Sequence, residues 1–308
     1  MLNGKAAIVT GSTSGIGLAI ATAFAAHGAD VMLNGFGDAD AIETARVQLE
    51  REHGVRVRYS PADMGVPQDV RRMAQQAIDA FGKVDIVVNN AGIQHVAPID
   101  EQPDDRWDAV IAINLSSAFH LVKAVLPGMK ARGWGRVINV ASAHGLVASP
   151  FKAPYVAAKH GLIGLSKTVA VEVAEHGITS NTICPGYVKT PLGEGQIAEQ
   201  AKVHGIPAES VIRDVLLVHQ ARKRFVTVEE IAALALFLAS DAAASITAAA
   251  PRGGRRLDAT LGGSREQDNR QPARKRRHEA DCAGIARRRR TWRVCVGRDR
   301  PYSRRWTA

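Results

Sequence analysis

A chain of 308 residues has room for one large domain or two small ones, each with a substantial apolar core. Its formal net charge of +10 sits at one end: residues 1–250 hold 22 Lys and Arg against 24 Asp and Glu, and residues 251–308 hold 18 against 6, which excludes the body as a polyanion-binding surface. Three cysteines, Cys184 in the body with Cys282 and Cys295 near the end, make neither a disulfide framework nor a metal-ligand spacing.

The opening "MLNGKAAIVT" has neither the basic region nor the apolar run of a signal peptide, and no apolar stretch reads as long enough to span a bilayer. A cytoplasmic protein with no membrane partner is expected. Short runs rich in Val, Ile and Ala alternate with helical patterns. Strands are predicted at 6–10, 30–34, 55–60, 84–92, 135–142 and 178–186, and helices at 15–27, 39–53, 67–81, 104–131, 154–176 and 227–240. This alternation builds βαβ units and predicts an α/β fold, a single Rossmann-type doubly wound parallel sheet with helices on both faces, over residues 1–250.

The stretch "VTGSTSGIG", residues 9–17, follows the first predicted strand and opens the first helix. Gly11, Gly15 and Gly17 let the backbone turn tightly and approach a pyrophosphate, whose charge the free N–H groups of a helix N-terminus stabilise. At the end of the second strand, "LNGFGD" puts Asn34 and Gly35 where dinucleotide folds often carry an acid, with Asp38 a little later. No Arg or Lys stands there, and Ser14 rather than a base precedes Gly15, so nothing pairs with a 2′-phosphate. NAD is expected rather than NADP. Asp63 after the third strand either accepts from an adenine amino group or caps the helix at 67–81. "NNAG", residues 89–92, suits backbone contact with a ribose and equally an ordinary turn.

In "PYVAAKHG", residues 154–161, Tyr155 and Lys159 are four apart and share one helical face. An ammonium beside a phenol favours phenolate and lowers a pKa that starts near ~10. That pairing would make Tyr155 a usable acid or base near neutral pH.

Together with Asn114 in "AINLSSAF", Ser142 ending "VINVAS", and the Pro185–Gly186 turn followed by Thr190, these motifs resemble the short-chain dehydrogenase/reductase family over residues 1–247. The resemblance implies cofactor contacts from Gly11, Thr13, Ser14, Gly15, Ile16, Gly17, Asp63, Asn90, Ala91, Gly92, Pro185, Gly186, Val188 and Thr190, with Tyr155 and Lys159. It further implies that Tyr155 exchanges the proton with the substrate oxygen while Lys159 lowers its pKa and bonds the nicotinamide ribose. Ser142 would hold that oxygen, and Asn114 a water that relays protons to Lys159.

Gln94, His144, Lys152 and Gln196 form a dense donor set around the motif residues, suited to a small buried carboxylate. His95 reads as a packing or surface residue. The set, with Ser142 and Tyr155, resembles that of family members acting on 3-hydroxybutyrate, in which the matching residues grip the carboxylate. The reaction implied is reversible NAD-dependent oxidation of (R)-3-hydroxybutyrate to acetoacetate, with segment 187–220, which has glycines at 193, 195 and 205, as a lid. An NADPH-dependent acetoacetyl thioester or 3-oxoacyl reductase is the alternative, against which Ser14 and the donor set speak.

From residue 251 the apolar period vanishes and Arg, Gly, Ala and Pro dominate, a composition that predicts disorder. Family members close the sheet with one more strand and stop, so this tail reads as a shifted reading frame beginning near residue 250. The sheet is then expected to end one strand early, in doubt of the homotetramer the family implies. A rival reading is an inactive dehydrogenase-like body with a nucleic-acid-binding arm, using "RKRRH" at 274–278 and "RRRR" at 287–290.

Overall fold

The computed structural model describes residues 1–188, 190, 197, 201, 205–212, 217 and 224–253, with backbone alone at Ala208, Arg252 and Gly253. Gln196, most of segment 187–220 and the basic tail beyond residue 253 lie outside the described residues.

The strands are β1 (Ala6–Val9), β2 (Asp30–Asn34), β3 (Val57–Ser60), β4 (Ile86–Asn89), β5 (Gly135–Val140), β6 (Ile178–Pro185) and β7 (Arg252–Gly253). They pair in parallel in the order β3-β2-β1-β4-β5-β6-β7. β1, β4, β5 and β6 are buried at every position, which is why they read as continuous apolar or small-residue runs rather than alternating ones. Strand order reverses between β1 and β4, and the crevice beyond their carboxyl ends is the place where open α/β sheets bind ligands.

The helices of eight residues or more among the described residues are α1 (Gly15–Ala26), α2 (Ala39–His53), α3 (Pro67–Phe81), α4 (Asp104–Ile111), α5 (Ser117–Arg132), α6 (Ala153–Val173) and α7 (Val228–Ala239). Local chemistry sets their ends. The Asp38 carboxylate accepts from the Ala41 N–H at 2.8 Å and starts α2, Pro67 opens α3, and Thr227 with Glu230 forms a capping box on α7. One apolar layer joins α1 and α7 to the sheet through Ile20, Phe24, Ile231 and Leu238. The other joins α3 and α5 through Met73, Phe81, Leu121 and Met129. The doubly wound sheet expected from the sequence is the fold observed.

Three expectations need correction. The helix read over 104–131 is broken by a π-turn, Ala112–Ser116, between α4 and α5; a π-bulge adds one residue to a turn without disturbing composition, so periodicity passes over it. The run Asp104–Arg132 is also long and apolar enough, by length and composition, to cross a bilayer. Here its apolar residues Leu121, Val122, Val125 and Met129 pack in the second layer.

The sheet does not stop at β6. Cys184 and Pro185 pair with Arg252 and Gly253, the Ala248 N–H donates to the Ser180 carbonyl at 2.9 Å and the Thr182 N–H to Ala249 at 2.9 Å. The Asn181 side chain bonds Ile246 and Ala249 at 2.7 and 3.1 Å. Backbone groups need no particular side chains to pair, so residues 246–253 cover the β6 edge despite the change of composition.

Candidate active site

Two cavities meet at Tyr155. The larger, about 290 Å³, runs from the glycine turn after β1 past the ends of β2, β3 and β4 to Lys159. The smaller, about 100 Å³, lies between the end of β5 and the turn after β6.

The glycine turn is held open by positive φ at Gly11 (62°) and Gly15 (55°). A side chain at Gly17 would overlap the Gly11 carbonyl, so this glycine serves close packing of α1 on the turn and does not line the cleft. Thr10 Oγ1 accepts from both the Asn90 and Ala91 N–H groups at 3.0 Å. Asn90 Nδ2 in turn donates to the Thr10 and Gly11 carbonyls at 2.9 and 3.0 Å. The two motifs at the switch point thus form one hydrogen-bonded unit.

Gly11, Thr13, Ser14, Gly15, Ile16, Asp63, Asn90, Ala91, Gly92, Tyr155, Lys159 and Thr190 all line the larger cavity. Pro185, Gly186 and Val188 line the smaller one. Helix α1 begins at Ser14 with no side-chain cap and no acid in its first turn, leaving its N–H groups and positive dipole end for an anion. The Asp63 carboxylate accepts from Gly65 at 2.7 Å and caps that turn rather than α3, which starts after Val66. These features fit a nicotinamide dinucleotide.

Asn34 does not stand free where an acid was sought. It is fully buried; its Oδ1 accepts from the Gly11 N–H at 3.3 Å, and its Nδ2 donates to the Ser60 and Ala62 carbonyls at 3.1 and 2.9 Å. It therefore rivets the ends of three strands. Phe36, exposed, projects beside it on the cleft wall. Lys159 is the one cation among the described residues lining the cleft.

At the catalytic end, Lys159 is buried in the second turn of α6 and donates from Nζ to the Val140 carbonyl at 2.9 Å. Its Nζ is 5.6 Å from the Tyr155 ring centre. Burial brings the ammonium down to about 8. Tyr155 departs from expectation: burial pushes the phenol up to about 12, against a hydrogen bond with Ser142 that lowers it. Desolvation of the phenolate is the largest influence, and the lysine, 5.6 Å from the ring centre, does not bring the phenol below its ordinary value. Ser142 Oγ also accepts from the His144 N–H at 3.1 Å.

Asn114 is buried on the π-turn, and its amide is engaged at both ends, Oδ1 with the Ile93 N–H and Nδ2 with the Ile93 carbonyl, each at 2.8 Å. Its side chain clamps the loop after "NNAG", and its Oδ1 and the Lys159 Nζ both border Gly92, 3.4 and 3.6 Å from where a Cβ there would stand.

Gln94, Ser142, His144 and Tyr155 line the smaller cavity together with Tyr187. Gln94 Nε2 is buried and has no hydrogen-bond partner among the described residues. Lys152 is buried rather than solvated, its Nζ 5.9 Å from the Tyr187 ring centre, and it does not line either cavity. Tyr187 and Phe36 are wall residues that sequence reasoning passed over, and Asn34, read there as standing at an acid position, serves the strand ends instead. Tyr187 was accessible from its place two residues after Pro185.

Fold and cleft define an oxidoreductase that works with a nicotinamide dinucleotide. The family model for short chain dehydrogenases matches residues 5–201, and the chain belongs to that family. It is 56% identical over 243 residues to a D-beta-hydroxybutyrate dehydrogenase of Rhizobium meliloti, covering 79% of this chain and 94% of the relative. A D-beta-hydroxybutyrate dehydrogenase of Cupriavidus necator is 54% identical over 249 residues, covering 81% and 96%. Among solved structures, a point variant of actinorhodin polyketide ketoreductase with NADPH superposes with a TM-score of 0.77 at 32% identity, covering 82% of this chain and 98% of that one.

Proposed function

We propose that the protein oxidises (R)-3-hydroxybutyrate to acetoacetate, reversibly, with NAD. The observation that carries this reading is the buried Gln94 Nε2, without a hydrogen-bond partner among the described residues, in a small cavity shared with Tyr155, Ser142 and His144. A buried donor without an acceptor costs free energy that a carboxylate ligand would restore. The dehydrogenases of Rhizobium meliloti and Cupriavidus necator point to the same substrate by name.

In this reading the glycine turn and the α1 N-terminus hold the pyrophosphate, and Gly92, Lys159 and Thr190 surround the nicotinamide end. The bound nicotinamide supplies the hydride acceptor. Ser142 donates a hydrogen bond to the substrate oxygen, and Tyr155, once its own phenol proton has passed to solvent, takes the hydroxyl proton at Oη as the carbon loses hydride to the bound nicotinamide. The buried Lys159 ammonium supplies the chain's own positive charge beside the phenol. Gln94 and His144 hold the carboxylate end, with Lys152 behind Tyr187 adding positive charge. The cleft favours NAD over NADP, since no Arg or Lys stands among the described residues near Asn34, Phe36 and Asp38 to receive a 2′-phosphate.

The same proposal includes a cytoplasmic homotetramer, a domain spanning residues 1–250 and a separate basic tail. The test is a panel in which NAD or NADP is offered with (R)- or (S)-3-hydroxybutyrate, and NADH or NADPH with acetoacetyl thioesters. Turnover of the (R) acid with NAD is expected to dominate. Preference for NADPH and a thioester would move the assignment to a ketoacyl reductase.

A further inference from the structure

We propose that Phe151 is a positioning residue, whose left-handed backbone and hydrogen bond with Ala97 lock together the loop that brings Gln94 to the substrate site and the loop that sets Lys152 behind Tyr187. The inference rests on the acid-binding reading above. Phe151 has φ 64°, and apart from Ala248 it is the one non-glycine residue with positive φ among those described. For a bulky L-residue that conformation is strained, and such strain persists where surrounding structure over-determines it, often beside a functional site.

What Phe151 holds is specific. Its carbonyl accepts from the Ala97 N–H at 3.0 Å. Ala97 lies three residues beyond Gln94, whose buried Nε2 waits without a partner among the described residues at the substrate cavity. Lys152 follows Phe151 directly, is 1% exposed, and stands as the N-cap of α6. Its carbonyl accepts from the Val156 N–H at 2.9 Å, and Tyr155 sits in the first turn. A change of φ at residue 151 would swing the Lys152 side chain and the start of α6 away from the loop carrying Gln94. One backbone bond therefore sets the distance between the two sides of the acid-binding region, and neither Phe151 nor Ala97 lines the cavity.

The experiment compares four variants. Ala97→Pro removes the donor, and Phe151→Val disfavours the left-handed backbone, whereas Phe151→Gly and Phe151→Asn both accept it. Ala97→Pro and Phe151→Val should raise KM for (R)-3-hydroxybutyrate at least about tenfold while kcat and the Kd for NAD stay within about threefold, the mark of lost ground-state binding. Phe151→Gly and Phe151→Asn should keep the wild-type KM. An unchanged KM in Ala97→Pro, or Phe151→Gly behaving like Phe151→Val, overturns the proposal. Amide exchange at Ala97 gives a reading independent of substrate: protection in wild type and Phe151→Gly, fast exchange in Phe151→Val. Equal exchange in all three overturns the latch even for a protein inert toward the acid, and inertness of the wild type would sink the substrate reading alone.

Discussion

Lys159 holds its ammonium 5.6 Å from the ring centre of Tyr155 while donating to the Val140 carbonyl at 2.9 Å. Lys159 is buried and Tyr155 half-buried, and each is pushed toward its neutral form, the lysine down to about 8 and the phenol up to about 12. The proton inventory of the cleft follows from that pair.

Reduction of acetoacetate requires a protonated phenol and a charged lysine. The phenol stays protonated to about 12, so the first group lost on raising the pH is Lys159, near 8. Reductive kcat/KM should fall as the pH rises through about 8. Initial rates with NADH between about pH 6.5 and 9.5 check this, and a flat profile would contradict it.

Stability carries the same signature with two opposite signs. Lys159 has a folded pKa below its ordinary 10.5, so between about 8 and 10.5 the unfolded chain binds the extra proton and stability rises with pH. Below that window the burial cost is fully present. Lys159→Met should therefore raise the urea midpoint at pH 7, with an advantage that shrinks toward pH 10.5. Tyr155 has a folded pKa raised from 10.0 to about 12, so its contribution is present below about 10 and lost between 10 and 12. Midpoints for Tyr155→Phe that follow the wild-type curve through that upper window would refute the assignment.

Gln94→Leu separates ligand binding from folding. Losing one hydrogen bond to a carboxylate should raise KM for the acid roughly 10- to 100-fold. Removing a buried donor that has no partner among the described residues should leave the urea midpoint unchanged or higher. A lower midpoint with an unchanged KM would mean that the amide serves the fold.

The discrimination between NAD and NADP should reverse in part when a cation is placed at the β2 end. Phe36→Arg puts one on the exposed cleft wall, and the ratio of Kd values, measured by nucleotide fluorescence titration, should move toward NADP by about tenfold. No movement would show that the 2′ position is read elsewhere.

Much of this architecture is legible in the sequence because β1, β4, β5 and β6 are buried on both faces and because a tight turn announces itself as glycine. What escapes depends on contacts between distant segments. Asn34 looks like a vacant acid position until the Gly11, Ser60 and Ala62 backbones are seen to use its amide. The π-turn at Ala112–Ser116 changes one hydrogen-bond step and no composition. Lys152 passes for a loop lysine because burial against Tyr187 is a tertiary fact. The extra strand at Arg252–Gly253 pairs through backbone atoms that no side-chain pattern records. Spacing misjudges the phenol's pKa, since it gives the neighbour but not the solvent that burial removes.

The most direct measurement is the absorbance of reduced nicotinamide after wild type and Tyr155→Phe are each mixed with NAD and (R)-3-hydroxybutyrate. Wild type should show a steady rise, and the variant a rate lower by at least about 100-fold with its Kd for NAD unchanged. Equal rates in the two proteins would contradict the account.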